Sequence, residues 1–174
     1  VTYVAMSVNA INTVPTFGAL TNIGAMGIKF QNGEYKFLDS FSVALAYDES
    51  RKEEDHISWW ENQNTEAQNE VFSWEKDRLV PISAMHSLDR YLKKIQGNET
   101  ELIMVADYPH EVYPWVDMLY KVNGKEAPFT DVLCVNTMSQ YLKSKFTGHH
   151  VDGAQHVALY EAQRLAQRFV GLFQ

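Results

Sequence analysis

The stretch Gln31-Asn32-Gly33-Glu34 constrains the fold more than any other part of the chain. Asn-Gly readily takes the positive φ values of a type I′ turn, which joins two antiparallel strands through two residues. Apolar residues lead up to it from Ile23 to Phe30, and Tyr35, Phe37, Phe41, Val43 and Leu45 alternate beyond it. This pattern predicts one strand over 23–30 and another over about 35–46. Residues 2–8 (TYVAMSV) read as a buried strand, separated from the hairpin by a loop holding Pro15 and Gly18. An antiparallel meander of three strands therefore opens the protein.

The pattern changes at Asp48. Residues 48–55 read as a charged, exposed connection of the kind that runs over protein surfaces. Asp55 or Ser58 is placed to cap a helix carrying Trp59 and Trp60. Thr65 is placed to cap a short helix over 65–74, with Ala67, Val71 and Trp74 on one side. Ile82, Met85, Leu88, Leu92 and Ile95 recur at helical spacing after Pro81, with Gly97 just beyond, which predicts a helix over 81–95. Leu102 to Ala106 is a short apolar run between polar residues and reads as a central buried strand. A helix over about 113–122, a strand near 131–135 and a helix over 137–146 follow. In a last helix, roughly 155–172, Ala158, Ala162, Leu165, Phe169 and Leu172 share a face. The order βββ-α-β-α-β-α-α predicts an α/β fold with a mixed sheet. With 174 residues and neither repeat nor linker, the chain reads as a single domain, 1–174.

Composition then narrows the function. Fifteen Lys and Arg against 22 Asp and Glu give a net charge of −7. That balance disfavours indiscriminate duplex binding, which relies on basic side chains at phosphates, and leaves room for a local basic path. The one cysteine, Cys134, rules out an internal disulfide framework and any multi-cysteine zinc or iron–sulfur site, and fits a reducing, cytoplasmic compartment. No apolar run approaches the ~18 residues needed to cross a bilayer, and no signal-peptide pattern opens the sequence, so no membrane partner is expected. There is no Gly-x-Ser-x-Gly nucleophile elbow and no glycine-rich phosphate loop.

Three segments carry a resemblance. Ser7-Val8-Asn9-Ala10-Ile11-Asn12-Thr13, followed by Thr21-Asn22-Ile23-Gly24-Ala25, resembles a motif written Asp-x-Glu-Thr-x-Gly-Thr before an Ile-Gly-Ala strand. Ile57-Ser58-Trp59-Trp60-Glu61-Asn62-Gln63-Asn64-Thr65-Glu66-Ala67 resembles Thr-x-x-Trp-Trp-x-x-Gln-Ser-x-Glu-Ala. His156-Val157-Ala158-Leu159-Tyr160-Glu161-Ala162 resembles His-x-Ala-x-x-Asp-Ala. Together with the element order, these motifs resemble the ribonuclease H-like 3′–5′ exonucleases of DEDDh type, in particular their small phage and bacterial branch. The resemblance spans about residues 3–170. It implies a ribonuclease H-like mixed sheet, a three-strand antiparallel meander plus parallel strands, flanked by helices.

The resemblance also implies a chemistry. Four acidic residues of that family hold two divalent ions about 4 Å apart, which stabilise the attacking water and the leaving 3′ oxygen, and a histidine serves as general base. Hard cations such as Mg²⁺ or Mn²⁺ want carboxylate oxygens. Carried onto this chain, the motifs put His156 at the general-base position and Glu161 at the final acid. Either Glu111 or Val112 falls at the third acid, in Asp107-Tyr108-Pro109-His110-Glu111. Ser7 stands where the family has its metal-bridging aspartate, and Asn9 where it has the next glutamate. A hydroxyl and an amide are far weaker ligands for a hard dication than two carboxylates.

The expectation is a degenerate exonuclease-like domain, a pseudoenzyme that has lost two-metal phosphodiester hydrolysis and needs no cofactor. It would serve as a binding or structural module, cytoplasmic or virus-associated, in a phage or viral protein. Its partner would be single-stranded nucleic acid, with Trp59 and Trp60 stacking on bases, or a protein of a larger assembly. The alternative is an active exonuclease on DNA or RNA, with Mg or Mn held by Glu111, Asp107, Asp152 and Glu161.

Other residues carry plainer readings. One of the two tryptophans is expected to pack its helix onto the sheet, since aromatic pairs dominate cores. His149, His150, Asp152 and His156 form the densest imidazole cluster, read as solvated loop rather than metal site. Cys134 reads as a buried, inert thiol. Lys93 with Lys94, Lys143 with Lys145, and Arg164 with Arg168 are scattered basic pairs, the last on one helix face and read as solvated.

Overall fold

Asn32 and Gly33 both have positive φ, 55° and 84°, so the predicted turn forms and joins β2 (Leu20–Gln31) to β3 (Glu34–Ala44). The computed structural model describes residues 1–74, 77–142 and 153–174. β1 (Thr2–Ala10) pairs antiparallel with β2, completing the meander. On its other edge β1 pairs parallel with β4 (Leu102–Ala106), which pairs parallel with β5 (Asp131–Cys134). The five strands form one mixed sheet in the order β3-β2-β1-β4-β5. The α/β class and the parallel half of the sheet are thus as predicted.

Side chains alternate across a strand, so each face of β1 has its own core. Val4 and Met6 point to one face, where they meet α3 (Pro81–Gln96), α4 (Pro109–Lys121) and the short α1 (Glu54–Glu61) and α2 (Thr65–Phe72). Ala5 points to the other, with Val105 from β4 and Leu165 and Phe169 from α6 (Ala158–Gly171). α5 (Val135–Tyr141) follows β5 without a loop.

Several boundaries differ from the sequence reading for identifiable reasons. α4 begins at Pro109 rather than near residue 113, because proline suits the first helical position, where its missing N–H is unneeded. Pro114 then sits inside the helix. The cap of α2 is Asn64, not Thr65: its side chain accepts from the Ala67 N–H at 2.9 Å. Neither Asp55 nor Ser58 caps α1, which follows Glu53; the Glu53 carboxylate instead accepts from the Thr13 N–H at 2.7 Å and hydroxyl at 2.5 Å. Trp74 lies beyond α2 and is exposed, its ring 4.7 Å from that of Tyr47. The connection 48–55 contains a 3-10 turn, Glu49–Arg51, and the start of α1. α6 starts at Ala158, three residues later than expected. The expected helix over 137–146 is seen as α5, and its last four residues lie outside the described ones.

Arg78 ties the meander to α2. Its Nε donates to Ser73 O (3.1 Å), Nη1 to Thr21 O (3.2 Å) and Leu45 O (3.1 Å), and Nη2 to Glu70 O (2.7 Å) and Val71 O (2.8 Å). The carbonyls of residues 70, 71 and 73 belong to the end of α2, where a helix leaves its C=O groups without internal partners.

Gly24 sets how closely α6 meets the sheet. A Cβ built there would lie 2.1 Å from the Ala158 carbonyl oxygen, so only glycine admits the start of α6 at this distance. Gly24→Ala is expected to cost about 2 kcal/mol in urea unfolding, the usual scale for forcing atoms into a filled contact. An unchanged midpoint would mean that the close approach is not needed.

Candidate functional site

β1 and β4 run parallel, with Ala5 opposite Val105, and both end on one side of the sheet, which puts Ser7 level with the segment just after β4. In open α/β sheets the ligand crevice lies outside the carboxyl ends of the strands. A cleft of about 840 Å³ opens there. Its walls include Ser7, Asn9, Trp59, Trp60, Asp107, Glu111, Val112, His156 and Glu161. The residues that the motifs single out, Ser7, Asn9, Trp59, Trp60, Glu111, His156 and Glu161, therefore converge on one cleft. His149, His150 and Asp152, with Lys143 and Lys145, lie outside the described residues.

A buried knot of hydrogen bonds shapes its floor. Ser7 and Asn9, two apart on β1, face the side on which α6 packs. Asn9, 7% exposed, uses Nδ2 to donate to Glu70 Oε2 at 2.8 Å and to the His156 carbonyl at 2.7 Å. Both partners are acceptors, so the amide orientation is chemically determined. Glu70, 6% exposed, also accepts from the Ala158 N–H at 2.8 Å, the first N–H of α6. A carboxylate at a helix N-terminus satisfies an orphan donor and meets the positive end of the dipole. Sequence reasoning missed Glu70. A signal was present: it falls at i+3 from Ala67 and next to Val71, which sets a carboxylate on the apolar stripe of α2.

The knot fixes His156. Its φ is 64°, a left-handed value rare outside glycine, and its N–H donates to Glu161 Oε1 at 2.9 Å while its carbonyl accepts from Asn9. The His156 ring stands edge-on to Trp59 (centroids 5.0 Å, planes at 76°) and to Trp60 (6.4 Å, 87°). Trp60 is buried, and its indole N–H donates to the Ala10 carbonyl at 2.9 Å, so it is the packing tryptophan. Trp59 is 43% exposed on the cleft wall, with the His56 ring nearly parallel to it at 5.8 Å.

Two carboxylates of the cleft, Glu161 and Asp107, are paired with arginines. Arg164 Nη1 meets Glu161 Oε1 at 2.8 Å, and its Nη2 donates to the Gly153 carbonyl at 2.5 Å. Arg168 pairs through Nη1 with Asp107 and donates from Nη2 to Asn136 Oδ1 at 2.8 Å. The reading of Arg164 and Arg168 as a solvated helix face is thus corrected: both guanidiniums turn toward carboxylates of the cleft. Burial pushes the Asp107 carboxyl above its ordinary value; Arg168 opposes this and the charge of Glu161 adds to it. Glu111, in the first turn of α4, keeps an exposed carboxylate, with the His110 Nε2 3.9 Å away. Cys134 is half-buried rather than buried, with Sγ donating to the Asp107 carbonyl at 3.2 Å.

This donor set does not fit a pair of hard dications. Ser7 offers a neutral hydroxyl, Asn9 has its amide nitrogen committed to Glu70 and His156, and Asp107 and Glu161 each face a guanidinium. Among the described residues, no three His, Cys, Asp or Glu side chains converge as a metal site would require. Nor is any described helix long and apolar enough to cross a membrane.

Comparison with known proteins agrees with this architecture. The nuclease domain of 3′hExo, a DEDDh family member solved bound to rAMP, has a TM-score of 0.67 at 13% identity, covering 99% of this chain and 92% of that one. A 3′-exonuclease described in 3′-end specific recognition of histone mRNA stem-loop also gives 0.67 and 13%, over 99% and 81% of the two chains. E. coli Exonuclease I in complex with a dA16 oligonucleotide gives 0.64 at 6% identity, over 94% of this chain and 39% of that one. At such identities the likeness is one of fold, that of the ribonuclease H-like exonucleases. No curated protein matches the sequence. A family model does match, over residues 5–170, and with nearly the whole length covered the chain belongs to the Rv2179c-like 3′–5′ exoribonuclease domain family.

Proposed function

We propose that the chain is a single exonuclease-like domain whose cleft binds single-stranded nucleic acid, RNA in the first instance, without two-metal hydrolysis. The observation that carries this reading is the state of Asn9. Where the resemblance calls for a metal-binding glutamate, a buried amide holds Glu70 and the His156 backbone together, and Ser7 beside it contributes no charge. The residue has become part of the scaffold of the cleft.

Binding survives such a change because it asks less of the site than hydrolysis does. Trp59 offers an indole on the cleft wall, and any base can stack on it. The pairing of Asp107 and Glu161 with arginines removes repulsion that would otherwise meet the phosphodiester backbone. RNA is favoured over DNA by the family, and one structural neighbour is described in recognition of an RNA 3′ end. Trp59→Ala should weaken binding of a short single-stranded RNA by roughly tenfold, the scale of one base–aromatic stack, in fluorescence anisotropy with EDTA present. Equal affinity in wild type and variant would remove Trp59 from the interface.

A second reading has one observation in its favour. His156, Glu161 and Glu111 line one cleft, and Glu111 keeps an exposed carboxylate, so an active metal-dependent exonuclease with substituted ligands retains a base and two acids to work with. RNA shortening that requires Mn²⁺ and Glu161 would establish it. The phage or viral setting and a cytoplasmic location are expectations of the same kind, tested by finding the chain in purified virions or in the cytoplasmic fraction.

A further inference from the structure

Two arginines of α6 lie four residues apart and therefore on one helix face, and each is spent on a different wall of the cleft. Arg164 reaches back one turn to Glu161 (2.8 Å), and its second nitrogen is anchored on the Gly153 carbonyl (2.5 Å). Arg168 reaches across to Asp107, which follows β4, and is braced by Asn136 in α5 (2.8 Å). Neither guanidinium is free in solvent: the side chains are 24% and 34% exposed, and their partners 32% and 38%. Two carboxylates of the cleft therefore meet two fixed positive charges, and this set of four sums to zero.

We propose that Arg164 and Arg168 are built-in countercharges that take the place of divalent cations at Glu161 and Asp107, making the cleft independent of metal. Carboxylates in such a cleft need positive charge before a phosphodiester can lie beside them. A dication supplies it in a two-metal site. Here the guanidiniums supply it, and a cation seeking the same oxygens would have to displace them. A guanidinium is suited to this task because its planar fork holds an oxygen and a brace at once and never loses its charge. The part concerning metals stands on the ion pairs alone, and its consequence for nucleic acid rests on the binding function proposed above.

The test follows Mn²⁺ itself, titrated into the whole protein and read by the electron paramagnetic resonance signal of the free ion. Wild type should leave the signal undiminished, and Arg164→Gln/Arg168→Gln should bind Mn²⁺ at least about tenfold more tightly, because two carboxylates are released. Arg164→Lys/Arg168→Lys keeps both charges and should stay as blind to Mn²⁺ as wild type, separating charge from altered packing. Circular dichroism checks that each variant is folded, and Arg164→Gln alone serves if the double variant is not. Tight Mn²⁺ binding by wild type would overturn the proposal, as would a folded Gln variant that binds no better or a Lys variant that binds as well as Gln. Anisotropy with labelled single-stranded RNA in EDTA and then in Mn²⁺ separates the two ideas. RNA bound only with Mn²⁺ overturns the countercharge role and spares the binding function. RNA bound in neither condition, with the Mn²⁺ results as expected, overturns the binding function and leaves the countercharges standing.

Discussion

Arg78→Ala should lower the free energy of unfolding by about 4 kcal/mol, the largest effect expected of any single side chain outside the apolar core. Five carbonyls, those of Thr21, Leu45, Glu70, Val71 and Ser73, receive its N–H groups. Hydrogen bonds from a charged donor are the stronger kind, and removing the guanidinium leaves acceptors in a half-buried place where water replaces it poorly. The cation also lies 5.1 Å from the Tyr47 ring centre and 5.8 Å from that of Trp74, which adds a favourable contact with both aromatic faces. Burial pulls its pKa below the ordinary value, while the charge of Glu70 opposes this. Arg78→Lys should recover only part of the loss, because a point-like ammonium cannot span acceptors on two sides of a fork. Equilibrium urea unfolding measures both variants. A loss below about 1 kcal/mol would show that these bonds merely replace equivalent ones to water. A second consequence is local: with the end of α2 released, Glu70 is less firmly held, and amide exchange at Ala158 should quicken.

Asn9→Asp is nearly isosteric, yet it should cost about 3 kcal/mol at neutral pH, because it sets a second carboxylate against buried Glu70 and against the His156 carbonyl. A donor becomes an acceptor at 2.8 Å and 2.7 Å from two acceptors. The cost has a pH signature. Two carboxyl groups this close can share one proton, so the folded variant holds a proton more tightly than the unfolded chain does. The raised folded pKa means that the variant is least impaired below the ordinary aspartate value near ~4 and loses stability as pH rises through the raised value. Wild type lacks this pair and should not follow that curve. Asn9→Ala, which removes the donor without adding charge, should cost less than Asn9→Asp at pH 7 and should not share its pH dependence. Equal costs would mean that charge plays no part in the knot.

Much of the fold is legible in the sequence because it is written locally. Asn32-Gly33 declares its turn through backbone preference, Leu102–Ala106 declares a buried strand through its apolar run, and Ile82 to Ile95 declare a helix through their spacing. The long reach of the cleft is not local, and there the reading fails. Arg164 and Arg168 look like a solvated pair on one helix; only the fold brings Asp107, some 60 residues away, to the second of them. Arg78 carries no signal at all, since its partners are backbone carbonyls, which every residue possesses. Glu70 was detectable as a charge on an apolar stripe, but its partners on β1 and α6 were not. The motif resemblance did what periodicity could not: it named Ser7, Asn9, Trp59, Trp60, Glu111, His156 and Glu161 together, and all of them line the cleft.

Binding without cleavage is the claim on which the functional reading turns, and one assay addresses it directly. A 5′-labelled single-stranded RNA is incubated with the protein in Mg²⁺ and in Mn²⁺, at concentrations where anisotropy shows the RNA to be bound, beside a Glu161→Ala control. RNA that stays full length while bound, with wild type and control alike, is the predicted result. A ladder of products shortened from the 3′ end, formed by wild type with Mn²⁺ and lost in Glu161→Ala, would contradict it and identify a working exonuclease with a rebuilt metal site.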